Sequence, residues 1–117
     1  MKLRTALLAL IAVSGISTTQ AGWYVPPIKV NDRDTYNYVM LAILDSSKAE
    51  YTPLSEDRGT ELDRIRRCWQ IDALRTRLDF IRLNKEFASE LELSDQYQKT
   101  HEKVIANNLQ VVGNKCK

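Results

Sequence analysis

Residues 60–92 read TELDRIRRCWQIDALRTRLDFIRLNKEFASELE, thirty-three positions without a proline or a glycine. An average helix has about 11–12 residues, so this stretch predicts one long helix that begins at the N-cap Thr60, with Asp63 as a weaker capping acid. Its apolar residues fall on two nearly opposite sides at about 100° per residue. The side that we expect to be the main one carries Leu62, Ile65, Trp69, Phe80, Leu83, Phe87 and Leu91, and the other carries Ile71, Leu74, Leu78 and Ile81.

Two further helices are predicted on either side of this central one. The first opens at Asn31 and Asp32 and ends near Glu50, with a buried stripe of Tyr36, Val39, Met40, Ile43 and Leu44. The other runs from its N-cap Ser94 to Val112, before Gly113, with Tyr97, Val104, Ile105, Val111 and Val112 as its apolar side and Leu109 at the margin. The pattern predicts an all-α fold, a small three-helix bundle with a long central helix. A homodimer that covers one apolar side is the alternative.

The first twenty-one residues have the three parts of a secretory signal. Lys2 and Arg4 form a positive end, residues 6–13 form an apolar core, and Ala21 closes a cleavage motif. A membrane-spanning helix needs about 20 apolar residues, so we expect cleavage and no stable membrane insertion. The predicted organisation is a signal at 1–21, an extended arm at 22–30 and one helical domain at 31–117. The predicted location is the periplasm or the medium.

The charge of the mature chain is formally neutral. The whole sequence has 17 basic and 15 acidic residues, and the signal removes two bases and no acid. Nucleic-acid binding requires a basic surface, so a nucleic-acid partner is not expected.

Cys68 and Cys116 are the two cysteines, and an even pair in an exported small domain indicates a disulfide. Cys68 lies twenty-five residues before the turn near Leu93, and Cys116 lies twenty-three residues after it. At 1.5 Å per helical residue the two arms reach about equally far. The bond would therefore staple the open end of a hairpin formed by the second and third helices.

Two features could bind a partner, and each has a structural alternative. Trp23 and Tyr24 of the arm are either a handle or a cover over the helices. Four arginines are only partly balanced by acids, and we predict an acidic partner for them or simple solvation: Arg64, Arg66, Arg67 and Arg77. A further line of charges at steps of three and four predicts an ion-pair ladder on a solvated face: Asp72, Arg75, Asp79, Arg82 and Glu86.

No residue pattern in the chain predicts catalysis, a cofactor or a metal site. The four glycines are scattered, and two cysteines with one histidine lack zinc-site spacing. His101 lies at the edge of an apolar face, which favours a hydrogen-bonded packing role over a pH-dependent one. We therefore expect a binding protein for another envelope protein, an inhibitor or immunity-type protein. The alternatives are an accessory subunit of a secretion or conjugation machine and a small periplasmic chaperone.

Overall fold

A computed structural model describes residues 24–46 and 51–116, and this part of the chain is helical without strands. Four α-helices follow one another: α1 (Arg33–Ser46), α2 (Glu61–Leu83), α3 (Glu90–Leu93) and α4 (Asp95–Val112). Short 3-10 turns span Ser55–Asp57 and Lys85–Phe87. The all-α prediction is confirmed. The predicted signal, Trp23 and the end of the first helix at Glu50 lie outside the described residues.

The hairpin of α2 and α4 and its disulfide are confirmed. Ser94 caps α4 by accepting from the Tyr97 N–H at 3.2 Å, and Gly113 ends it with a positive φ of 58°. Cys68 and Cys116 are bonded, with their Cα atoms 5.4 Å apart. Around the bond, Ile71 and Val112 are buried with Ile105 and Leu109 packed against them. Val111, predicted on the apolar side of α4, is exposed, and Leu109 packs in its place.

The prediction of one unbroken helix from Thr60 to Glu92 is wrong, because α2 ends at Leu83 with Asn84 as its C-cap. This side chain is fully buried, donates to Ile28 O at 2.9 Å and to Phe80 O at 3.0 Å, and accepts from Val30 N at 2.9 Å. An asparagine that bonds backbone groups outside the helix competes with the helical ladder. The chain therefore turns at Asn84 and starts again at α3.

The expected order of the two apolar sides of α2 is also wrong. Ile71, Leu74, Leu78 and Ile81 are all buried, whereas Leu62, Leu83 and Leu91 are exposed and Trp69 is only partly buried. Of the side that we expected to be the main one, Phe80 alone is in the buried core, with 1% of its surface exposed. The 100° count was carried across Asn84, where the helix stops, so Phe87 and Leu91 do not share a helical face with Trp69.

The core of the C-terminal half of α2 is shared with α1 and the arm. Phe80 and Ile81 pack with Val30 of the arm and with Tyr36, Val39, Met40 and Ile43 of α1. Leu44, predicted in the buried stripe of α1, is exposed. Residues 24–30 are extended along α2, and the Val25 N–H donates to Thr76 Oγ1 at 2.9 Å. The arm thus covers apolar surface of α2.

The predicted ion-pair ladder on α2 finds partners on other elements. Asp79 accepts from the Tyr24 hydroxyl at 2.8 Å, and Glu86 pairs with Lys29. Arg82 donates to Gln98 Oε1 at 3.1 Å and to Glu102 Oε2 at 3.2 Å, both on α4. The spacing holds within α2, but Glu86 lies beyond the end of that helix. Neighbouring elements bind Asp79, Arg82 and Glu86 in place of the predicted pairs along the line. The line is a seam between the arm and α4.

Candidate functional site

A groove of about 540 Å³ lies between α1, the segment 87–92 and the start of α4. We call it the α1–α3 groove. Five of its lining residues come from one face of α1, with the i, i+3, i+4, i+7, i+8 spacing of a helix: Arg33, Tyr36, Asn37, Met40 and Leu41. The others are Phe87, Ser89, Leu91, Glu92 and Tyr97.

The opposite wall of the groove exists because the chain stops and restarts after α2. Ser89 begins α3 with a capping box, in which Ser89 Oγ accepts from Glu92 N at 3.1 Å and Glu92 Oε1 accepts from Ser89 N at 2.9 Å. This box fixes a single helical turn that places Leu91 across from α1. An unbroken α2 would have carried Leu91 away along its axis.

The floor of the groove is rigid and carries one polar contact. Tyr36 is buried and stacks on Phe80 with ring centroids 5.0 Å apart. Its hydroxyl donates to Glu92 Oε1 at 3.0 Å. Burial raises the pKa of Tyr36 well above its usual value, and the adjacent Glu92 carboxylate raises it further. Tyr36 therefore stays a neutral donor and ties α1 to α3 at any physiological pH.

The lips of the groove are apolar and exposed. Leu41 on α1 shows 60% of its surface and Leu91 on α3 shows 68%. Tyr38 and Leu44 of α1 and Leu93 of α3 are also exposed, but they do not line the groove. Single exposed leucines are ordinary, but two that line the same groove from different helices are typical of a protein-binding surface.

The groove lies in the acidic part of the chain. The segments 33–46 and 84–95 hold six acids and two bases. Asp34 is seven residues before Leu41, so it lies at the edge of the groove face of α1, and it is exposed. Glu90 is exposed on α3 beside Leu91. Exposed carboxylates thus lie beside the groove on both of its walls, while Arg33 and Glu92 are the charged residues that line it.

The predicted arginine cluster is largely absorbed by the fold. Arg67 is 8% exposed; its Nε donates to both oxygens of Asp63, at 3.1 and 3.0 Å, and its Nη1 donates to Asn108 Oδ1 at 2.9 Å. Arg64 donates to Glu61 and to the carbonyl of Lys115. Arg66 lies over the Tyr51 ring, 5.7 Å from its centroid. Arg67 therefore presents very little of its surface to a partner, and the predicted binding role of the cluster stays a prediction.

A closed ring of buried hydrogen bonds surrounds Arg67, and the sequence patterns gave no sign of it. Asn108 Nδ2 donates to Gln70 Oε1 at 2.7 Å, and Gln70 Nε2 donates to Tyr51 O at 3.0 Å. The Tyr51 hydroxyl completes the ring by donating to Asp63 Oδ1 at 2.7 Å. Such a satisfied network fixes the loop at Tyr51 against α2 and α4, which is a structural role.

The two predicted binding features do not meet. Tyr24 bonds Asp79, which is fifteen residues along α2 from Arg64. At 1.5 Å per residue the separation is about 22 Å along the axis. Burial, together with the hydrogen bond to Asp79, raises the pKa of Tyr24 to about 12. The Tyr24 hydroxyl is thus occupied in tying the arm to α2.

His101 is a hydrogen-bonded packing residue, as predicted. It is buried, its Nδ1 is 2.9 Å from Tyr97 O, and its Nε2 is 3.0 Å from Nη1 of Arg77. Because an arginine can only donate, Nε2 is the acceptor and Nδ1 carries the proton of a neutral ring. Arg77 is itself buried, and its Nε lacks a hydrogen-bond partner in the described part of the chain.

Within residues 24–46 and 51–116, no three His, Cys, Asp or Glu side chains are placed to hold a metal ion together. None of the helices described there combines the length and the apolar character needed to cross a membrane. Comparison with protein-family models, with curated proteins and with solved structures gave no match for this chain.

Proposed function

We propose that this chain is an exported helical protein that acts by binding another protein of the cell envelope, as an inhibitor or immunity-type protein, and that the α1–α3 groove is its binding surface. The observation that carries the proposal is the pair of exposed leucines, Leu41 and Leu91, on opposite lips of a groove with a rigid aromatic floor. Burying an exposed leucine contributes about 1.5–3 kcal/mol, which makes the pair a suitable anchor.

The groove replaces the arm and the arginine cluster as the proposed binding surface. Tyr24 and Arg67 are engaged inside the fold, whereas Leu41 and Leu91 lie on helices that are held by the Tyr36–Glu92 contact. A preformed surface loses little conformational freedom on binding. The predicted signal and the disulfide support an oxidising location outside the cytoplasm.

The test is capture from an envelope extract with three forms of the mature protein. The groove variant carries Leu41→Ser and Leu91→Ser. The control variant carries Leu62→Ser and Val111→Ser, two apolar residues that are 48% and 53% exposed outside the groove. Because all four residues are exposed, we expect each substitution to change the free energy of unfolding by no more than about 0.5 kcal/mol.

We expect the wild type and the control to capture one envelope protein, and the groove variant to capture about tenfold less of it or none. Anchor residues contribute more than about 1 kcal/mol each to binding, so losing two of them should have this effect. A one-to-one complex with a single enzyme would support the inhibitor class, and a multi-subunit membrane assembly would support the accessory class. Equal capture by all three forms would contradict the proposal.

A further inference from the structure

We infer that the occupant of the α1–α3 groove is a basic amphipathic α-helix of the partner, with apolar side chains between Leu41 and Leu91 and lysines or arginines against the acidic rim. This inference rests on the proposed function and adds the chemistry of the partner. It is drawn from the dimensions of the groove, the order of its polar and apolar parts, and its charge.

The dimensions fit a short helix. The groove face of α1 runs from Arg33 to Leu41, which is eight steps along the helix or about 12 Å at 1.5 Å per residue. That length equals about two turns of a partner helix. Apolar residues at i, i+4 and i+7 of such a helix would lie in a row over Met40, a side chain whose flexibility suits a surface that packs against another helix.

The polar groups of the groove favour positive charge. Glu92 uses Oε1 for both of its bonds, to the Tyr36 hydroxyl and to Ser89 N. The other oxygen of this carboxylate, Oε2, is the acceptor that remains for a ligand. Asp34 on α1 and Glu90 on α3 add exposed carboxylates beside the groove. The Arg33 guanidinium, the one cation of the lining, is held by the Phe87 carbonyl at 3.2 Å and keeps its charge. A lysine or arginine that enters the groove would meet acceptors on both walls.

The same charge argues against two other occupants. A second copy of this chain in a two-fold dimer would place one acidic rim against another, because both protomers present the same surface. An anionic membrane surface would be repelled by Asp34 and Glu90. The basic helix of another protein is therefore the occupant that the surface fits best.

The probes for the test are two synthetic helical peptides of about 15 residues, the length at which an isolated helix becomes stable enough to form. Both carry leucines at i, i+4 and i+7. One has lysines at the remaining exposed positions and the other has glutamates. Each is titrated into the isotopically labelled mature protein, and the backbone amide shifts report both the affinity and the residues contacted.

We expect the lysine peptide to shift the amides of residues 33–41 and 87–92, and to bind about tenfold or more tightly than the glutamate peptide at low salt. The substitutions Asp34→Asn and Glu90→Gln neutralise two carboxylates beside the groove and should lower the affinity for the lysine peptide by about two- to tenfold, as expected for two exposed ion pairs. The matched control, Asp57→Asn with Glu61→Gln, removes two acids outside the groove and should leave the affinity unchanged.

Equal affinity of the two peptides, or no binding of the lysine peptide at about 1 mM, would overturn the inference while leaving the capture experiment to judge the groove itself. Shifts confined to residues outside the groove would overturn it too. Sedimentation of the protein alone is the last measurement. A dimer that dissociates when Leu41→Ser is introduced would show that the groove is occupied by a second copy of the chain. Loss of capture without charge selectivity would uphold the proposed function alone.

Discussion

Asp63 shows how far a residue can depart from the role that its position suggests. In sequence it is an acid in the first turn of a helix, where it complements the helix dipole. In the structure its side chain is 1% exposed and accepts from Tyr51, from Arg67 and from the N–H of Gly59 at 3.2 Å. Charged side chains are seldom this buried unless they are paired. The pairing of Asp63 with Tyr51 is a tertiary contact, so the local sequence could not reveal that Asp63 is buried.

Replacing the Asp63 carboxylate should make the free energy of unfolding less dependent on pH in the acidic range. Burial raises the pKa of Asp63, but the hydrogen bonds from Tyr51, Arg67 and Gly59 outweigh it and hold the pKa below its usual value. A lowered pKa in the folded state stabilises the protein above the unfolded pKa of about 3.9, and this stability is lost as pH falls through the folded value. We expect Asp63→Asn to lower the free energy of unfolding by about 3–5 kcal/mol at pH 7, because Arg67 remains buried without its anion.

The measurement is urea unfolding of wild type and variant from pH 7 down to pH 2.5. The difference between them should be largest at pH 7 and should narrow below about pH 3.9, where the Asp63 carboxyl of the unfolded chain takes up a proton before that of the folded chain. Glu61→Gln, in the same helical turn but exposed, is the control and should cost less than about 1 kcal/mol. A constant difference across the whole pH range would show that Asp63 acts by packing rather than by charge.

Asn84 is the second residue whose role the sequence concealed. It lies among good helix formers, and neither proline nor glycine marks the stop. Its buried hydrogen bonds reach the arm, more than fifty positions away in the chain. A helix end fixed by so distant a contact is a tertiary effect, which helical periodicity cannot register.

At the scale of elements, the hairpin was predictable because it depends on lengths. The rise of a helix is constant, so counting residues along the chain is enough to compare the distances from the turn to Cys68 and to Cys116. The order of the apolar faces was not predictable in the same way. It depends on where α1 and the arm pack, and both pack beside the unforeseen stop at Asn84.

The disulfide should contribute a large share of the stability of the hairpin. It closes a loop with a sequence separation of 48, worth about 4 kcal/mol by the chain-entropy estimate. We expect Cys116→Ser to lower the free energy of unfolding by about 2–4 kcal/mol in unreduced samples. Cys116 is the better position to change because Cys68 is buried, and a hydroxyl there would add its own desolvation cost.

Reduced wild-type protein is the matched control for this variant. Reductant should lower the stability of the wild type to that of Cys116→Ser and should leave the variant unchanged, as followed by urea unfolding with and without reductant. A variant as stable as the oxidised wild type would show that packing of Ile71, Leu109 and Val112 alone holds the open end of the hairpin.

At the scale of the whole molecule, the charges of the chain are divided between its two ends. The groove end is acidic in its segments 33–46 and 84–95, whereas four arginines lie between residues 58 and 67 near the disulfide. Net charge alone predicted a neutral mature domain and hid this division. At the basic end Arg67 is engaged with Asp63 inside the fold, which is consistent with the proposal that the acidic end binds the partner.

The start of the mature chain is limited by both the signal and the fold. The cleavage motif predicts a cut after Ala21, and the contacts of the arm bound the position independently, since Tyr24 bonds Asp79 and Val25 bonds Thr76. A cut beyond Val25 would remove these contacts, and a cut beyond Val30 would leave Asn84 without the N–H that it accepts in the interior. Leaving such a group unpaired costs about 1–3 kcal/mol. We therefore expect mass spectrometry of the exported protein to find Gly22 at the amino terminus. A first residue after Val25 would contradict both the predicted cleavage position and the role of the arm, and an uncut chain in the cytoplasm would contradict the predicted signal.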